Sequence, residues 1–368
     1  MNERAYWLAL HRAPGIGSVS FGRLLEEYGS PAAVFAAPEK ATDLSNETRH
    51  YLRQPDWEAV EQDLKWLEQP ERCLLTLVDP DYPPLLREIP DPPPVLFIHG
   101  DPSLLSLPQL AVVGSRNPSP TGAETAAQFA TYLASSGLVI TSGLALGIDA
   151  AAHEGALAAK APTIAVAGTG LDRVYPARHR ALAHAIAKGG ALVSEFPIGT
   201  PPLPQNFPRR NRLISGLSLG ILVVEAALQS GSLITARLGA EQGREIFAIP
   251  GSIHNPLSRG CHRLIREGAK LVEIAQDIWE ELGPLVGATT NLQVDEKHEK
   301  IEDSSNDPEY HILLDCLGYD PLPIDILVER CGLTAEAVSS MLLMLELQGR
   351  ITALPGGRYL RCGKEGQS

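Results

Sequence analysis

At 368 residues, with 44% apolar side chains and a formal net charge of −13, the chain is long enough for two or three domains with substantial cores. Taken as a whole, the acidic balance argues against a nucleic-acid binder, and the longest strongly apolar run, Leu219 to Leu228, contains Glu225 and cannot span a bilayer. Five cysteines without a CxxC pair suggest neither a disulfide framework nor a zinc site, and the opening Met1-Asn2-Glu3-Arg4 precedes an apolar run too short for a signal peptide, so a cytoplasmic protein with no membrane partner is expected.

Arg4 to about Trp66 reads as short helices, punctuated by Pro14-Gly15-Ile16-Gly17 and Ser30-Pro31. The first pair suits either a helix-hairpin-helix unit, whose hairpin amides donate to phosphate, or a plain αα-hairpin that only packs. Pro80 to Pro94 holds too many fixed φ angles for helix or central strand and is expected to be an extended connector.

From Gln109 onward apolar runs alternate with helical patterns: 110–113, 138–141, 163–167, 192–193, 221–224 and 246–249. Such alternation predicts an α/β fold, an extended Rossmann-like, doubly wound and mostly parallel sheet. Thr121 and Glu124 have capping-box spacing, with Gly137 closing that helix. A polar, acidic stretch from about 284 to 309 reads as a linker. Beyond it, 310–317, 323–331 and 334–347 have helical spacing, and 351–354 with 358–361 flank Pro355-Gly356-Gly357 as a hairpin, which is a winged-helix topology. The expected domains are a helical unit (1–70), the α/β core (71–283), the linker (284–309) and the winged helix (310–363).

The charge is unevenly spread. Arg209 to Lys270 holds nine basic and four acidic residues, whereas Glu273 to Glu309 holds eleven acidic residues and two lysines. Arginine forks are concentrated in Phe207-Pro208-Arg209-Arg210-Asn211-Arg212, close in sequence to the Ser230-Gly231-Ser232 turn. Two further loops end predicted strands: Gly114-Ser115-Arg116, and Ser142-Gly143 leading to Gly147. All three fall at the C-terminal edge of the sheet, where a hydroxyl cap and a glycine let an anion approach a helix N-terminus. Alone each loop is an ordinary βα turn; with the arginines they form a phosphate groove. Phe207 either stacks on a base or plugs a packing gap, and the plug is the preferred reading.

Enzyme motifs are scarce. No GxxxxGK[ST] loop occurs, and Gly168-Thr169-Gly170-Leu171-Asp172-Arg173 fails the last position of GxGxxG. The histidines lack metal-ligand spacing, so no catalytic residue, metal or cofactor is assigned. Glu225 reads as a structural cap or as an ion-pair partner of Arg212 or Arg237.

Six ordered motifs carry a family resemblance: Val113-Gly114-Ser115-Arg116, Ser142 to Asp149, Gly170 to Pro176, Ser194 to Pro197, Phe207 to Arg212 and Ser230 to Ala236. Together they resemble the DNA-processing protein A family, DprA, also called Smf. The resemblance implies a bacterial homodimer that binds and protects incoming single-stranded DNA in natural transformation and helps load the RecA recombinase, without cutting DNA. It also implies that Gly114, Ser115 and Arg116 grip phosphates, joined by Phe207, Arg209, Arg210, Asn211 and Arg212, by the Ser230 loop and by Arg178. Two asparagines usual in the family are His179 and His262 here. Histidine keeps a donor and an acceptor. The alternative is a nucleotide hydrolase of the lysine-decarboxylase-like Rossmann group, although Gly-Gly-x-Gly-Thr is replaced by Ser230-Gly231-Ser232-Leu233-Ile234-Thr235. In the C-terminal unit the third helix carries Glu336 and Glu346 but no Lys or Arg, so it is expected to contact protein or to support DNA binding only weakly, with Arg350, Arg358 and Arg361 on the wing.

Overall fold

Five short helices open the chain: α1 (Glu3–Arg12), α2 (Ser18–Tyr28), α3 (Pro31–Ala36), α4 (Asn46–Arg53) and α5 (Trp57–Leu67). Asn2, Ser30, Ser45 and Asp56 each accept a hydrogen bond from the amide three residues on, satisfying an orphan donor at the start of α1, α3, α4 and α5. Between α1 and α2 the chain reverses through Gly15 at φ +75°, a conformation that favours glycine. The computed structural model describes residues 2–38, 43–289, 308–317, 322–347, 351–354 and 358–361, and these fall into two compact units, 1–292 and 293–368.

In the larger unit the helices lead into β1 (Arg72–Thr76), α6 (Pro84–Arg87), β2 (Val95–Gly100), β3 (Gln109–Val113), α7 (Pro120–Ser135), β4 (Val139–Ser142) and α8 (Ile148–Ala158). There follow β5 (Thr163–Val166), α9 (Arg180–Gly189), β6 (Ala191–Ser194), α10 (Asn206–Leu217), β7 (Gly220–Val223), α11 (Gly231–Glu241), β8 (Glu245–Ala248), α12 (Arg259–Arg266), β9 (Lys270–Leu271) and α13 (Gln276–Thr289). The strands form one sheet in the order β1-β2-β6-β5-β4-β3-β7-β8-β9, antiparallel only at β1-β2 and β2-β6. This is the doubly wound, mostly parallel α/β sheet that the apolar runs predict. Period-two alternation separates its two cores. Leu110 and Val112 of β3 pack with α7, α8 and α13, while Ala111 and Val113 pack with α10, α11 and α12. The chain passes from β6 on one flank to β7 on the other side of β3, so the strand order reverses beside β3.

Three expectations change. The proline-rich connector contains the single turn α6, because Pro84 occupies its first position, where a missing N–H costs nothing. Ser119, not Thr121, caps α7, accepting from the Gly122 amide. Helix α13 runs past Gly283 to Thr289 with Pro284 inside it, and Val286 still packs on the core, so the first residues of the expected linker are helical.

The N-terminal helices share their core with the sheet's antiparallel edge. Trp66 meets Phe97 of β2 edge-on at 6.1 Å, within a cluster that includes Trp7, Phe21, Leu74 and Val95. Arg12 forks onto the buried carboxylate of Asp63 at 2.6 and 2.7 Å, and both residues also bond the Ile198 backbone. Burial pushes the Asp63 carboxyl up, against the pull of Arg12.

The smaller unit contains α14 (Pro308–Leu317), β10 (Leu322–Pro323), α15 (Ile324–Cys331), α16 (Ala335–Leu347), β11 (Ile351–Leu354) and β12 (Arg358–Arg361), with sheet order β10-β12-β11. Val338, Met341, Leu342 and Leu345, at helical spacing on α16, pack with Leu313, Leu317 and Leu327. Three helices and a hairpin make this a winged helix. The acidic stretch 290–307, Arg350, the 355–357 turn and Cys362 lie outside the described residues. No helix among the described residues is long and apolar enough to cross a membrane.

Candidate nucleic-acid interface

Where strand order reverses in an open α/β sheet, the loops leaving adjacent strands diverge and a crevice opens at their C-terminal ends. Here that crevice is a cleft of about 660 Å³ between the loop after β3 and the loop after β7, with α10 along one side. Of the residues expected to bind DNA, it gathers Gly114, Ser115, Arg116, Phe207, Arg210, Asn211, Ser230, Gly231 and Ser232.

The three βα loops are not equivalent. In the first, Gly114 packs so closely that an added Cβ would lie 2.6 Å from the Ile148 side chain and 2.9 Å from the Glu225 carbonyl oxygen. The Ser115 amide donates to that same carbonyl at 2.7 Å, leaving Arg116 exposed with its guanidinium 5.9 Å from the Phe207 ring centre. The N-terminus of α7 is already occupied: the Ser119 amide and hydroxyl donate to the Glu225 carboxylate at 2.8 and 2.6 Å. Glu225 is therefore a cap, as one reading expects, but Ser119 is its partner, and Arg237 pairs instead with Glu241.

The second loop is filled in the same way. Asp149 Oδ2 accepts from the amides of Gly143 and Ala145 at 3.1 and 3.2 Å. A Cβ on Gly143 would lie 2.1 Å from the Arg210 guanidinium, so Gly143 admits that side chain rather than an outside anion. Ser142 is fully buried and donates to the Val112 carbonyl at 2.6 Å. Arg210 is buried beside Asp149 and donates to the Val166 carbonyl at 2.6 Å; burial pushes its pKa down to about 10, so it stays charged at neutral pH. Burial raises the Asp149 carboxyl, opposed by Arg210 and the two amides.

Only the third loop lacks a carboxylate among the described residues. Ser230 caps α11 with its hydroxyl, accepting from the Ser232 amide at 3.3 Å, and an added Cβ on the exposed Gly231 would meet nothing within 4 Å. The helix N-terminus, with its partial positive charge, faces open space inside the cleft.

Helical periodicity divides the arginine-rich run. Phe207, Arg210, Asn211 and Ile214 follow the i, i+3, i+4, i+7 stripe of α10 that faces the cleft. Arg209 and Arg212 point away, and both bind the buried carboxylate of Glu195. Arg212, with 7% of its side chain exposed, also bonds the Asp91 carbonyl at 2.6 Å and its carboxylate at 3.2 Å. It is a structural residue. Arg178 is exposed on a turn outside the cleft, while His179 Nδ1 lies 2.9 Å from the Leu144 carbonyl and His262 Nε2 lies 2.9 Å from that of Gly251. Phe207 packs against the Gly168 backbone and sits 5.4 Å from Tyr175, consistent with a plug.

The sequence reading leaves Asp149 and Tyr175 out of the site, though both line the cleft, and it misses Glu195, which holds the outward-facing arginines. Each lies inside a quoted motif, so the motifs were informative beyond their basic residues.

The family model for DNA recombination-mediator protein A matches residues 73–283, that for the DprA winged helix domain residues 299–357, and that for the DprA-like N-terminal HHH domain residues 1–59. Protein Smf of Escherichia coli (strain K12) is 42% identical over 363 residues, covering 98% of this chain and 96% of the relative. DNA processing protein DprA of Streptococcus pneumoniae is 49% identical over 206 residues, 56% of this chain and 73% of the relative. The X-ray structure of the Streptococcus pneumoniae DprA aligns with a TM-score of 0.68 and 39% identity, covering 76% of this chain and 99% of that one. DNA processing protein A from Helicobacter pylori, whose structure is described for its single-stranded DNA binding mode, aligns with a TM-score of 0.53 and 31% identity, covering 58% and 96%. The chain belongs to the DNA recombination-mediator protein A family, known as DprA or Smf.

Proposed function

We propose that this chain binds single-stranded DNA by its phosphates in the cleft beside β3, protects it during natural transformation, and hands it to the RecA recombinase. It acts as a homodimer in the bacterial cytoplasm and performs no catalytic step of its own. The observation that carries the reading is the open α11 N-terminus, capped only by the Ser230 hydroxyl and with no carboxylate on it among the described residues, with Arg116 and Asn211 lining the same cleft. Charge-assisted contacts to phosphate carry no base identity, so binding is sequence-tolerant. The Helicobacter pylori relative's binding mode and the family's description as a recombination mediator support the reading. Against a hydrolase, the buried carboxylates nearest the loops already accept hydrogen bonds: Asp149 from two amides and Glu225 from Ser119.

Fluorescence anisotropy with a labelled oligothymidine, titrated at several salt concentrations beside the matching duplex, tests it. Tight binding that prefers the single strand and weakens as salt rises is the expected result. No binding at low salt refutes it, and release of free base from nucleoside monophosphates would favour the hydrolase.

A further inference from the structure

We propose that the N-terminal helices brace the cleft: through His11, Arg12 and Asp63 they fix the segment between β6 and α10, and with it the direction in which α10 presents Arg210 and Asn211. The inference rests on the single-stranded DNA reading above, and adds to it a set of positioning residues that touch no DNA.

The segment 195–205 leads from β6 to α10 and reaches the cleft, where Pro202 and Pro204 form part of the lining. Its first half is held from the N-terminal side by three long-range hydrogen bonds. His11 Nε2 donates to the Glu195 carbonyl at 2.7 Å, Arg12 donates to the Ile198 carbonyl at 3.0 Å, and the Asp63 carboxylate accepts from the Ile198 amide at 3.0 Å. The Glu195 carboxylate, on the same segment, holds both Arg209 and Arg212 of α10 on one oxygen, and Arg212 also donates to the Ser18 hydroxyl at the start of α2 at 3.4 Å. Pro197, Pro201, Pro202 and Pro204 fix φ along the segment and leave it little slack. A shift of α1 is therefore passed to α10 along both the backbone and the Glu195 side chain.

Stability alone does not account for this joint. Burial raises the carboxyls of both Asp63 and Glu195 in spite of the arginines on them, so the cost of burying these charges outweighs their pairing. Apolar side chains would hold the same surfaces together, whereas an arginine fork and two bonds to one backbone unit also fix direction. Burial, with the charges of Arg209, Arg12 and Arg212, lowers the His11 pKa from 6.5 to about 4, so at pH 7 the ring is a neutral donor.

The test uses the full chain and a labelled oligothymidine. His11→Leu removes the donor, His11→Gln keeps a neutral one, and Arg12→Met combined with Asp63→Leu replaces the buried pair by apolar side chains; urea denaturation establishes that each variant is folded. His11→Leu and the double variant are expected to bind about fivefold more weakly than wild type, with the slope of log affinity against log salt unchanged because no phosphate contact is lost, and His11→Gln is expected to bind as wild type. Coupling is reciprocal, so in the wild-type protein oligothymidine must slow hydrogen exchange at the Ile198 amide and in α1. Undiminished affinity in folded His11→Leu and the double variant, a flattened salt slope, no rescue by His11→Gln, or exchange at Ile198 and α1 that ignores bound DNA overturns the brace and leaves the phosphate reading standing. Wild-type protein that binds no oligothymidine overturns the phosphate reading, and the brace with it.

Discussion

Arg212 and Arg116 carry the same charge and both belong to family motifs, yet their environments predict opposite effects when each is replaced by alanine. Arg212→Ala removes the cation from a buried carboxylate, Glu195, and frees the Asp91 contacts that tie α10 to the proline-rich connector. Breaking a buried ion pair from one side costs about 3–5 kcal/mol. Glu195 keeps Arg209, whose side chain is 46% exposed, so the loss falls at the lower end, about 3 kcal/mol. Arg116→Ala removes an exposed guanidinium stacked over Phe207, worth about 0.5–1 kcal/mol to stability. Its effect is on binding. Each phosphate contact contributes about 0.7 to the slope of log affinity against log salt for single strands, so between 50 and 200 mM salt Arg116→Ala should lose about 2.5-fold less affinity than wild type. Urea denaturation followed by tryptophan fluorescence reads the first quantity, and anisotropy of an oligothymidine across the salt series reads the second. If Arg212→Ala kept full stability but flattened the salt dependence, the division of the arginine run between two faces of α10 would be wrong.

Further expectations follow from single positions. Gly143→Ala should destabilise the larger unit by about 2–3 kcal/mol in urea, because the new methyl displaces the buried Arg210 guanidinium, whereas Gly231→Ala should stay within about 0.5 kcal/mol of wild type. His153 is fully buried, with Nδ1 2.8 Å from Thr163 Oγ1, and burial lowers its pKa from 6.5 to about 3. Protonation therefore favours the unfolded chain: the stability is intact above pH 6.5 and is lost as pH falls toward 3. Between pH 7.5 and 5 the loss is about 2 kcal/mol, and His153→Gln should flatten the urea-midpoint dependence by that amount. An unchanged pH dependence in that variant would remove His153 from the account.

Much of this protein was legible from local rules. Strands β3 to β8 come from short apolar runs, and four of the first five helices begin at Asn, Ser or Asp caps whose hydrogen bonds span only three residues. The winged helix follows from helical spacing and a turn. The strands β1 and β2 were missed because prolines surround them and their pairing is antiparallel to the rest. Local pattern also located the three loops at one sheet edge, since every parallel strand with a crossover helix ends on the same side.

Tertiary structure decided which of these groups face the cleft. Glu225 reaches Ser119 across 106 residues, so no sequence window reveals that the α7 N-terminus is already filled, and Asp149 closes the second loop while Ser230 leaves the third open. The run Phe207 to Arg212 reads as one basic patch, but its rotation about the α10 axis is set by how Leu213, Ile214 and Leu217 pack on the sheet. That packing aims Arg210 and Asn211 at the cleft and commits Arg209 and Arg212 to Glu195. Residue type and spacing determine which elements form, because those depend on local hydrogen bonds and apolar periodicity. The direction of a charge, and whether another charge has already answered it, depends on contacts between distant elements that exist only once the core has closed.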